Sequence, residues 1–201
     1  MKSYPSIDRK IRTDMQIYAF DKIDGSNIRA EWTKKNGFSK FGTKTRLLDA
    51  EEKPFGESVG IIKSKYEDDL GKIFVENKWQ KAIVFFEFWG NNSAFGVHAE
   101  EPHTVTLIDV NPYKKGILAP REYLSLFGHL DMAQLLYQGN ANQDLIDSVK
   151  KSTLKNMTFE GIVCKGSKNK QVVMFKVKSD AWIQKLRGYC NGDEQLFEKL
   201  I

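Results

Sequence analysis

The sequence contains only two cysteines among its 201 residues, Cys164 and Cys190. Two thiols are too few for the disulfide framework of a small secreted domain, so the sequence favours a reducing compartment. The N-terminal stretch MKSYPSIDRK lacks the apolar core of a signal peptide, and no apolar run approaches the length of a membrane span. These shortages predict a soluble cytoplasmic protein with no membrane partner.

Several common catalytic and metal-binding motifs are also missing. No G-x-S-x-G motif occurs, so a serine hydrolase has no candidate nucleophile. Gly56, Gly60 and Lys63 resemble part of a phosphate-binding loop, but their spacing does not fit that motif. His98 and His103 stand in HAEEPH, which lacks the ligand spacing of a zinc site, so we interpret them as surface or capping residues.

What the sequence does contain is an ordinary core and an unevenly placed basic charge. Hydrophobic residues make up 41% and aromatic residues 12%, enough to predict a single domain over residues 1–201. The net charge is +5, and residues 161–188 alone carry seven Lys or Arg against one Asp. This basic stretch is either a solvated face or a surface for a polyanion, because phosphates favour clustered cations.

The pattern of apolar residues predicts strands and helices in an order typical of an α+β fold. We expect strands at residues 15–21, 27–33, 82–89, 104–110, 159–165 and 171–178. Helices are expected at residues 64–76, from Pro120 to about Gln138, and in the segment NQDLIDSVKKS. The strands cluster towards both ends of the chain with helices between them, which favours an antiparallel sheet over a parallel βαβ sheet.

The segment AFDKIDGSNIRAEW places Lys22 in an unusual position. Asp24 and Gly25 predict a tight turn that joins the strands 15–21 and 27–33 as a hairpin, with Lys22 at its mouth. After the turn, apolar and polar residues alternate in I-R-A-E-W, the pattern of a half-buried strand. The role of Asp24 could be only that of an Asx-type turn residue.

Three further segments place charged side chains on predicted strands. In VVMFKVKS, Lys176 and Lys178 share one face, where their repulsion is best tolerated if an anion binds between them. The alternative is that they protect an edge strand from aggregation. Glu160 begins the neighbouring strand, FEGIVCK. Glu87 lies within the apolar run VFFEFW, where burial would require a salt bridge, a ribose hydroxyl or a divalent metal as its partner.

The order of these motifs resembles that of the covalent nucleotidyltransferases, the superfamily of ATP-dependent polynucleotide ligases and mRNA-capping guanylyltransferases. KIDGSN, FGTKTR, FFEFWG, TLIDV, FEGIVCKG and FKVKS follow one another over residues 17–178. K-x-D-G alone is a short pattern that occurs by chance, but joined to E-G-I-V and K-V-K it becomes specific. The ending GSN is similar to RNA ligases of the phage and RNA-editing type, whereas DNA ligases and capping enzymes more often have arginine in place of Asn27.

The resemblance implies that Lys22 is the nucleophile, which attacks the α-phosphorus of ATP, expels pyrophosphate and forms lysyl-AMP. A lysine attacks only without its extra proton, so its pKa would have to fall from about 10.4 towards neutrality. Partial burial at the turn, the cations Lys176 and Lys178 and a divalent metal, Mg²⁺ or Mn²⁺, would lower it. The family pattern assigns Lys176 and Lys178 to the α-phosphate, and Glu160 to the metal and to adenylylation of the lysine.

The same resemblance assigns the remaining nucleotide contacts. Glu87 would bind the ribose, Arg46 the ribose or phosphate and later the RNA ends, and Asn27 the nucleotide or the RNA terminus. Where family members commonly stack adenine on an aromatic residue, TLIDV offers only the aliphatic Leu107 or Ile108. The nucleotide-binding set is then Asp21, Asp24, Gly25, Asn27, Arg46, Glu87 and Ile108, together with Lys176 and Lys178.

In the remaining steps that the resemblance implies, AMP passes to an RNA 5′-phosphate, and a 3′-hydroxyl displaces it to leave a phosphodiester. Only 23 residues follow Lys178, too few for the oligonucleotide-binding barrel of DNA ligases or the helical C-terminal domain of larger RNA ligases. We therefore expect an antiparallel-sheet-rich α+β nucleotidyltransferase domain, ATP-grasp-like and without that barrel, with a short helical tail at 179–201. Such a core could need an accessory protein or domain for RNA binding.

Two alternatives to an RNA ligase remain open. The same chemistry could act on nicked DNA, or it could use GTP in a capping-type reaction. A non-catalytic β-domain could instead bind nucleic acid through the basic stretch alone. Its binding would weaken with added salt and would not depend on Lys22.

Overall fold

The structure, a computed structural model, describes residues 1–13, 15–91, 93, 98–169 and 171–201. Lys170 of the basic stretch lies outside the described residues. The chain divides into two compact units, each built from two separate stretches of sequence. The first unit contains residues 1–6 and 25–132, and the second contains residues 7–24 and 133–201. That the whole chain acts as a single domain stays a prediction.

Strands dominate both units. They are β1 Gln16–Asp21, β2 Ser26–Thr33, β3 Gly37–Thr43, β4 Lys81–Trp89, β5 Thr104–Pro112, β6 Leu135–Asn140, β7 Gly161–Lys168 and β8 Gln171–Lys178. The helices are α1 Glu57–Glu76, α2 Pro120–Phe127, α3 Gln143–Lys150, α4 Asp180–Cys190 and α5 Glu194–Leu200. The strands form two four-stranded sheets in which neighbouring strands are antiparallel, so the predicted antiparallel α+β class is confirmed.

The sheet of the first unit has the strand order β3-β2-β4-β5, and α1 packs on one of its faces. The buried residues of α1 recur at helical spacing, among them Ile62, Tyr66 and Phe74. The ring of Tyr66 lies 5.1 Å from that of Phe86 on β4, and the ring of Phe74 lies 5.0 Å from that of Trp32 on β2. This aromatic layer forms the core of the first unit.

The second face of the same sheet is polar but is also buried. Arg29 and Glu31 on β2 point to it and are only 6% and 5% exposed. The guanidinium of Arg29 donates to the carbonyl oxygen of Met1 at 2.7 Å and to the hydroxyl of Ser3 at 2.9 Å. Residues 1–6 therefore cover part of this face, and β2 is buried on both sides, not on one side as its alternation predicts.

The sheet of the second unit has the strand order β6-β1-β7-β8, and α3 covers one of its faces. Leu145, Ile146 and Val149 of α3 share a core cluster with Ile162 on β7 and Phe175 on β8. The side-chain oxygen of Asn142 caps α3 by accepting a hydrogen bond from the third residue beyond it. The predicted helix in NQDLIDSVKKS is therefore confirmed.

The predicted hairpin between residues 15–21 and 27–33 is wrong. β1 pairs with β6 and β7, whereas β2 pairs with β3 and β4. Both edges of each strand are already hydrogen-bonded, so neither strand has an edge left for the other. The boundary between the two units falls between Asp24 and Gly25. The Asp-Gly segment is thus the link from the second unit to the first.

The predicted helix from Pro120 to about Gln138 is correct only in its first half. α2 ends at Phe127, and residues 135–140 form β6, an edge strand antiparallel to β1. The apolar residues of LLYQ fit a helical or an extended period over so short a run. Residues 135–140 form a strand because pairing with β1 satisfies backbone hydrogen bonds along both segments.

The remaining differences concern the ends of elements and one further strand. α1 begins at Glu57, before the predicted start of the helix at 64–76. β3 was not expected, because its sequence GFSKFGT has few apolar residues and an internal glycine. The tail at 179–201 contains α4 and α5. None of the helices in the described ranges is both long and apolar enough to cross a membrane.

Candidate active site

Lys22 directly follows β1, at the point in the second unit where β8 ends and β7 begins. Its backbone N–H donates to the carbonyl oxygen of Gly161, the first residue of β7, at 2.9 Å. Gly161 has a φ of +137°, and a Cβ there would lie 2.1 Å from the carbonyl oxygen of Val177 on β8. Only glycine permits this approach, so the E-G pair of FEGIVCKG is what lets β7 and β8 close together here.

Asp21 and Asp24 flank the nucleophile candidate, and both are buried, at 6% and 5% exposure. The carboxylate of Asp21 accepts a hydrogen bond from the backbone N–H of Thr158 at 2.9 Å. This bond ties the end of β1 to the segment that precedes Glu160. Asp21 therefore helps to position the two residues on which the chemistry would depend.

Glu160 lies between two lysine ammoniums. One of its carboxylate oxygens is 2.8 Å from Nζ of Lys22, and the other is 3.0 Å from Nζ of Lys178. The side chain of Glu160 is 5% exposed, that of Lys178 is 7% exposed and that of Lys22 is 21% exposed. These three residues, which the sequence predicts to be functional, form what we call the Lys22–Glu160–Lys178 cluster.

The cluster has one more cation than anion, and the Lys178 ammonium is largely removed from water. Burial of the Lys178 ammonium lowers its pKa from 10.5 to about 8; the Glu160 carboxylate opposes this shift, and repulsion from Lys22 adds to it. A strongly shifted pKa next to a specific charged partner is typical of functional sites. The low pKa that the family chemistry requires of Lys22 itself stays a prediction.

Two residues that the sequence patterns did not single out support this cluster. The hydroxyl of Ser179 accepts a hydrogen bond from the N–H of Trp182 at 3.1 Å, which caps α4. The N–H of Ser179 donates to the carbonyl oxygen of Glu160 at 3.0 Å. The ammonium of Lys178 lies 3.3 Å from the centroid of the Trp182 ring. The S-D-A-W segment carries a helix-start signal that identifies Ser179, but no sequence signal joins Trp182 to Lys178.

Lys176 and Lys178 share one face of β8, while Val177 between them belongs to the core cluster on the other face. The ammonium of Lys176 donates to the carbonyl oxygen of Ile201. Lys178 is buried and paired with Glu160. Protection of an edge strand therefore does not account for Lys178, since a buried ammonium presents no charge to an approaching chain. That Lys178 is a functional residue stays a prediction.

The basic stretch at 161–188 combines buried and exposed cations. Lys165 is 3% exposed, and its Nζ lies 4.7 Å from the centroid of the Phe20 ring. Lys178 is buried within its cluster. The exposed members are Lys168, Lys185 and Arg187. The interpretation of the whole stretch as a solvated face is therefore wrong for its inner members.

In the first unit, Asn27 on β2 and Glu87 on β4 are directly opposite each other. The amide nitrogen of Asn27 donates to the carbonyl oxygen of Phe86 at 3.4 Å, and its buried amide oxygen has no hydrogen-bond partner within the described chain. A Cβ on Gly25 would lie 2.5 Å from the carbonyl oxygen of Phe88. Glycine is thus required where the chain enters the first unit, next to Asn27 and Glu87.

The prediction that the run VFFEFW buries Glu87 is wrong. Glu87 is partly exposed, whereas its neighbours Phe86 and Phe88 are fully buried. Phe86 and Phe88 face the core, whereas Glu87 points to the opposite face of the sheet. The Glu87 carboxylate is therefore partly exposed on that face.

The segment TLIDV on β5 contains the two aliphatic candidates for an adenine contact. Leu107 is opposite Phe86 and is 0% exposed, so it belongs to the core. Asp109 is opposite Phe85, which makes Ile108 the extra residue of a β-bulge, and Ile108 is partly exposed. Of the two candidates, only Ile108 has a surface that a ligand could reach.

Arg46 follows β3, and its guanidinium binds both carboxylate oxygens of Glu52. The hydrogen bonds and charge of this pair raise the pKa of Arg46 and lower the pKa of Glu52. A guanidinium fork fits a phosphate as well as it fits a carboxylate. To engage a ribose or a phosphate, Arg46 would have to exchange Glu52 for that ligand.

The predicted metal ligand, Glu160, fits a metal only together with a substrate. Across the described ranges, no group of three or more His, Cys, Asp or Glu could hold a metal ion. Mg²⁺ and similar ions are often bound by one or two carboxylates plus the phosphates of a nucleotide. Glu160 can supply such a carboxylate, and the nucleotide would have to bring the remaining oxygen ligands.

No protein-family model matches this sequence, and neither does any curated protein. Solved structures of an RNA ligase from Naegleria gruberi do match. A mutant with AMP and Mn has a TM-score of 0.69 at 16% identity, covering 91% of this chain and 57% of the ligase. A mutant without ligand has the same TM-score and identity, with 92% and 57% covered. A mutant with ATP and Mn has a TM-score of 0.64 at 17% identity, covering 86% of this chain and 52% of the ligase.

This likeness shows the fold. The chain has the fold of the matched part of that RNA ligase, and this agrees with the fold that the order of its motifs predicts. It spans between half and three fifths of the length of the ligase chains that it matches.

Proposed function

We propose that this chain is the catalytic core of an ATP-dependent RNA ligase that works through a lysyl-AMP intermediate. The observation that carries the proposal is the Lys22–Glu160–Lys178 cluster, in which one buried carboxylate contacts both ammoniums at 2.8 and 3.0 Å. The fold supports it, because the matching structures are of an RNA ligase, some of them with ATP or AMP and Mn. The cluster also lies on the motifs that define the resemblance in the sequence.

In the first step, Nζ of Lys22 attacks the α-phosphorus of ATP. A phosphorus–nitrogen bond forms, the bond from the α-phosphorus to its bridging oxygen breaks, and pyrophosphate leaves. Lys22 must give up its proton for this attack, and the Glu160 carboxylate, 2.8 Å away, is placed to accept it. Lys176 and Lys178 would contact the α-phosphate and neutralise the charge that develops on its oxygens.

In the second step, an oxygen of an RNA 5′-phosphate attacks the same phosphorus, and the bond to Nζ of Lys22 breaks. In the third step, a 3′-hydroxyl attacks the activated 5′-phosphate, a phosphodiester forms and AMP leaves. The substrates are therefore RNA ends with a 5′-phosphate and a 3′-hydroxyl. Because this chain spans little more than half of the matched ligase, we include an accessory protein or domain for RNA binding in the proposal.

A divalent cation, Mg²⁺ or Mn²⁺, would be held by Glu160 together with phosphate oxygens of the nucleotide. When bound, it would neutralise charge on the triphosphate. Glu160 would have to release at least one of its two lysines to bind it, since both carboxylate oxygens are engaged. Release of Lys22 from Glu160 is also what the attack on ATP requires.

In the first unit, the proposed nucleotide contacts are made by side chains that are at least partly exposed. Glu87 and Asn27, opposite each other on β4 and β2, are assigned to the ribose and to the nucleotide or RNA terminus. Ile108, raised by its bulge, is assigned to the adenine. Arg46 is assigned to the ribose or phosphate and later to the RNA ends. Asp21, Asp24 and Gly25 would act on the nucleotide site by fixing the backbone around Lys22.

The experiment that tests the proposal is covalent labelling of the protein. The chain is incubated with α-³²P-labelled ATP and Mg²⁺ or Mn²⁺ and run on a denaturing gel. We expect a labelled band that is lost in Lys22→Ala and kept in Lys168→Ala, which removes an exposed lysine of the basic stretch. An absence of label with ATP and with GTP would falsify the proposal.

Two comparisons then identify the substrate. Label from GTP in place of ATP would indicate a capping-type reaction, and sealing of nicked DNA but not RNA would indicate a DNA ligase. Salt-sensitive RNA binding that is the same in wild type and Lys22→Ala, with no label formed, would indicate a non-catalytic binding domain. Each of these three results contradicts an ATP-dependent RNA ligase.

A further inference from the structure

A second concave site lies in the first unit, at the end of the sheet where β4 begins and β5 ends. The cavity has a volume of about 470 Å³. Its polar lining consists of Lys2, Glu31, Lys81, Asn111, Tyr113 and Lys114. This volume is within the range of cavities that hold one small ligand or a part of a larger one. Lys81 and Glu87 are separated by six steps along an extended strand, about 20 Å, so this cavity is distinct from the nucleotide contacts proposed above.

The cavity has an excess of positive charge at its rim. Glu31, which is buried, is compensated by Lys81 at 2.7 Å and by Lys40 at 3.9 Å. Lys2 and Lys114 are exposed and form no ion pair with any described residue. Their charges are therefore available to an anion that enters the cavity.

Tyr113 places an aromatic ring beside these cations. Tyr113 is 64% exposed, so much of its ring is open to solvent. Its backbone is held in place, because its N–H donates to the carbonyl oxygen of Lys81 at 2.9 Å. The ammonium of Lys114 lies 5.5 Å from the ring centroid. A fixed backbone thus presents a solvated ring and a cation to the same cavity.

The backbone of Lys114 is itself unusual. Its φ is +66°, in the left-handed region that a lysine rarely adopts. Strained residues of this kind are found where the surrounding structure enforces them, often at binding sites. Lys114 thus occupies a turn position in a backbone conformation that is uncommon for a lysine.

We propose that this cavity binds a nucleotide unit of single-stranded RNA, with its base stacked on Tyr113 and its phosphate contacted by Lys2 and Lys114. Aromatic platforms flanked by cations bind single strands without sequence preference, because every base has a face that stacks. The choice of RNA as the polymer rests on the proposed function; the base and phosphate chemistry does not. The site would hold a strand away from the reacting ends.

The test measures the anisotropy of a fluorescently labelled single-stranded oligoribonucleotide, about ten nucleotides long, titrated with the full chain. We expect Tyr113→Ala to weaken binding by about 5- to 150-fold, the usual effect of losing one base stack, and Tyr113→Phe to bind as wild type. Lys2→Ala and Lys114→Ala should each reduce the slope of log affinity against log salt by about 0.7. The matched control is Tyr189→Ala, on α4 of the second unit, whose side chain is 63% exposed and which should bind as wild type.

Three results would overturn the inference. They are an absence of RNA binding by the wild type, an unchanged affinity in both Tyr113→Ala and Lys114→Ala, and equally strong occupation by free AMP, which would identify a mononucleotide site. Covalent labelling with ATP in the same variants separates the two proposals. If the protein is labelled with ATP but its RNA affinity is the same in wild type and Tyr113→Ala, only the inference about this cavity is contradicted. If the protein is never labelled but its RNA affinity falls in Tyr113→Ala, only the proposed ligase activity is contradicted.

Discussion

Each of the two units contains a buried glutamate that contacts two lysines, and the two arrangements differ in one respect. In the first unit, Glu31 is paired with Lys81 at 2.7 Å and Lys40 at 3.9 Å, and these lysines are 39% and 63% exposed. In the second unit, Glu160 is paired with Lys22 and Lys178, which are 21% and 7% exposed. The carboxylates are equally buried, at 6% and 5%, so the difference lies in the cations.

This difference concerns how much contact with water each lysine keeps. The lysines around Glu31 keep much of their contact with water, so their charge costs little. Lys178 has lost that contact, and its pKa falls to about 8 as a result. Composition alone, one glutamate and two lysines, does not distinguish the two sites. The exposure of the lysine side chains to water does.

The largest expected effect comes from removing each carboxylate in turn. Glu160→Gln should reduce the rate of covalent labelling by at least about 100-fold, because it removes the acceptor for the proton of Lys22. Glu31→Gln should label at nearly the wild-type rate. Single-turnover labelling with radioactive ATP measures both. Equal labelling rates in the two variants would show that Glu160 matters no more for the reaction than Glu31 does.

The next largest effect concerns the pH dependence of stability. Folding lowers the pKa of Lys178 from 10.5 to about 8, so between these values the unfolded chain binds more protons than the folded chain. The free energy of unfolding should therefore gain a contribution of up to about 3 kcal/mol as the pH rises from about 8 to about 10.5. Lys178→Met should lose this gain and Lys81→Met should keep it. Urea titrations of the three proteins across this pH range provide the measurement, and parallel curves would contradict the shift.

The smallest effect is the coupling energy within each pair. A double-mutant cycle of Glu160→Gln with Lys178→Met should give a coupling of about 1–2 kcal/mol, because both partners are buried. The corresponding cycle of Glu31→Gln with Lys81→Met should give less than about 1 kcal/mol, because Lys81 is solvated. Unfolding in urea at pH 7 measures both cycles. A larger coupling at Glu31 would reverse the ranking of the two sites.

Most strands were predictable because their apolar residues alternate or run continuously. β4 and β8 agree with the predicted residues to within one position. β6 was not predictable, because LLYQ fits a helix as well as a strand and only pairing with β1 decides between them. The hairpin around Asp24 and Gly25 failed for a related reason. A turn motif predicts that the chain changes direction. It does not predict which strand pairs with each of the two strands that the turn joins.

In the candidate site, too, the residues within local sequence motifs were predictable, and the contacts between distant segments were not. K-I-D-G, E-G-I-V and K-V-K identified Lys22, Glu160 and Lys178, because family motifs are local in sequence. Trp182, stacked on Lys178, carries no such signal. The choice of Ile108 over Leu107 depends on a bulge that arises only when β5 pairs with β4. Pairing register and stacking are properties of segments that are distant in the chain.

By itself, the sequence determined which side chains are available for chemistry and indicated the α+β class. Only the tertiary structure decided that Glu160 contacts a lysine 138 positions away, and that the ammonium of Lys178 is removed from water while that of Lys81 is not. The reason is physical. Residue type and local spacing set intrinsic charge and preferred conformation, whereas desolvation depends on every neighbour that folding brings near.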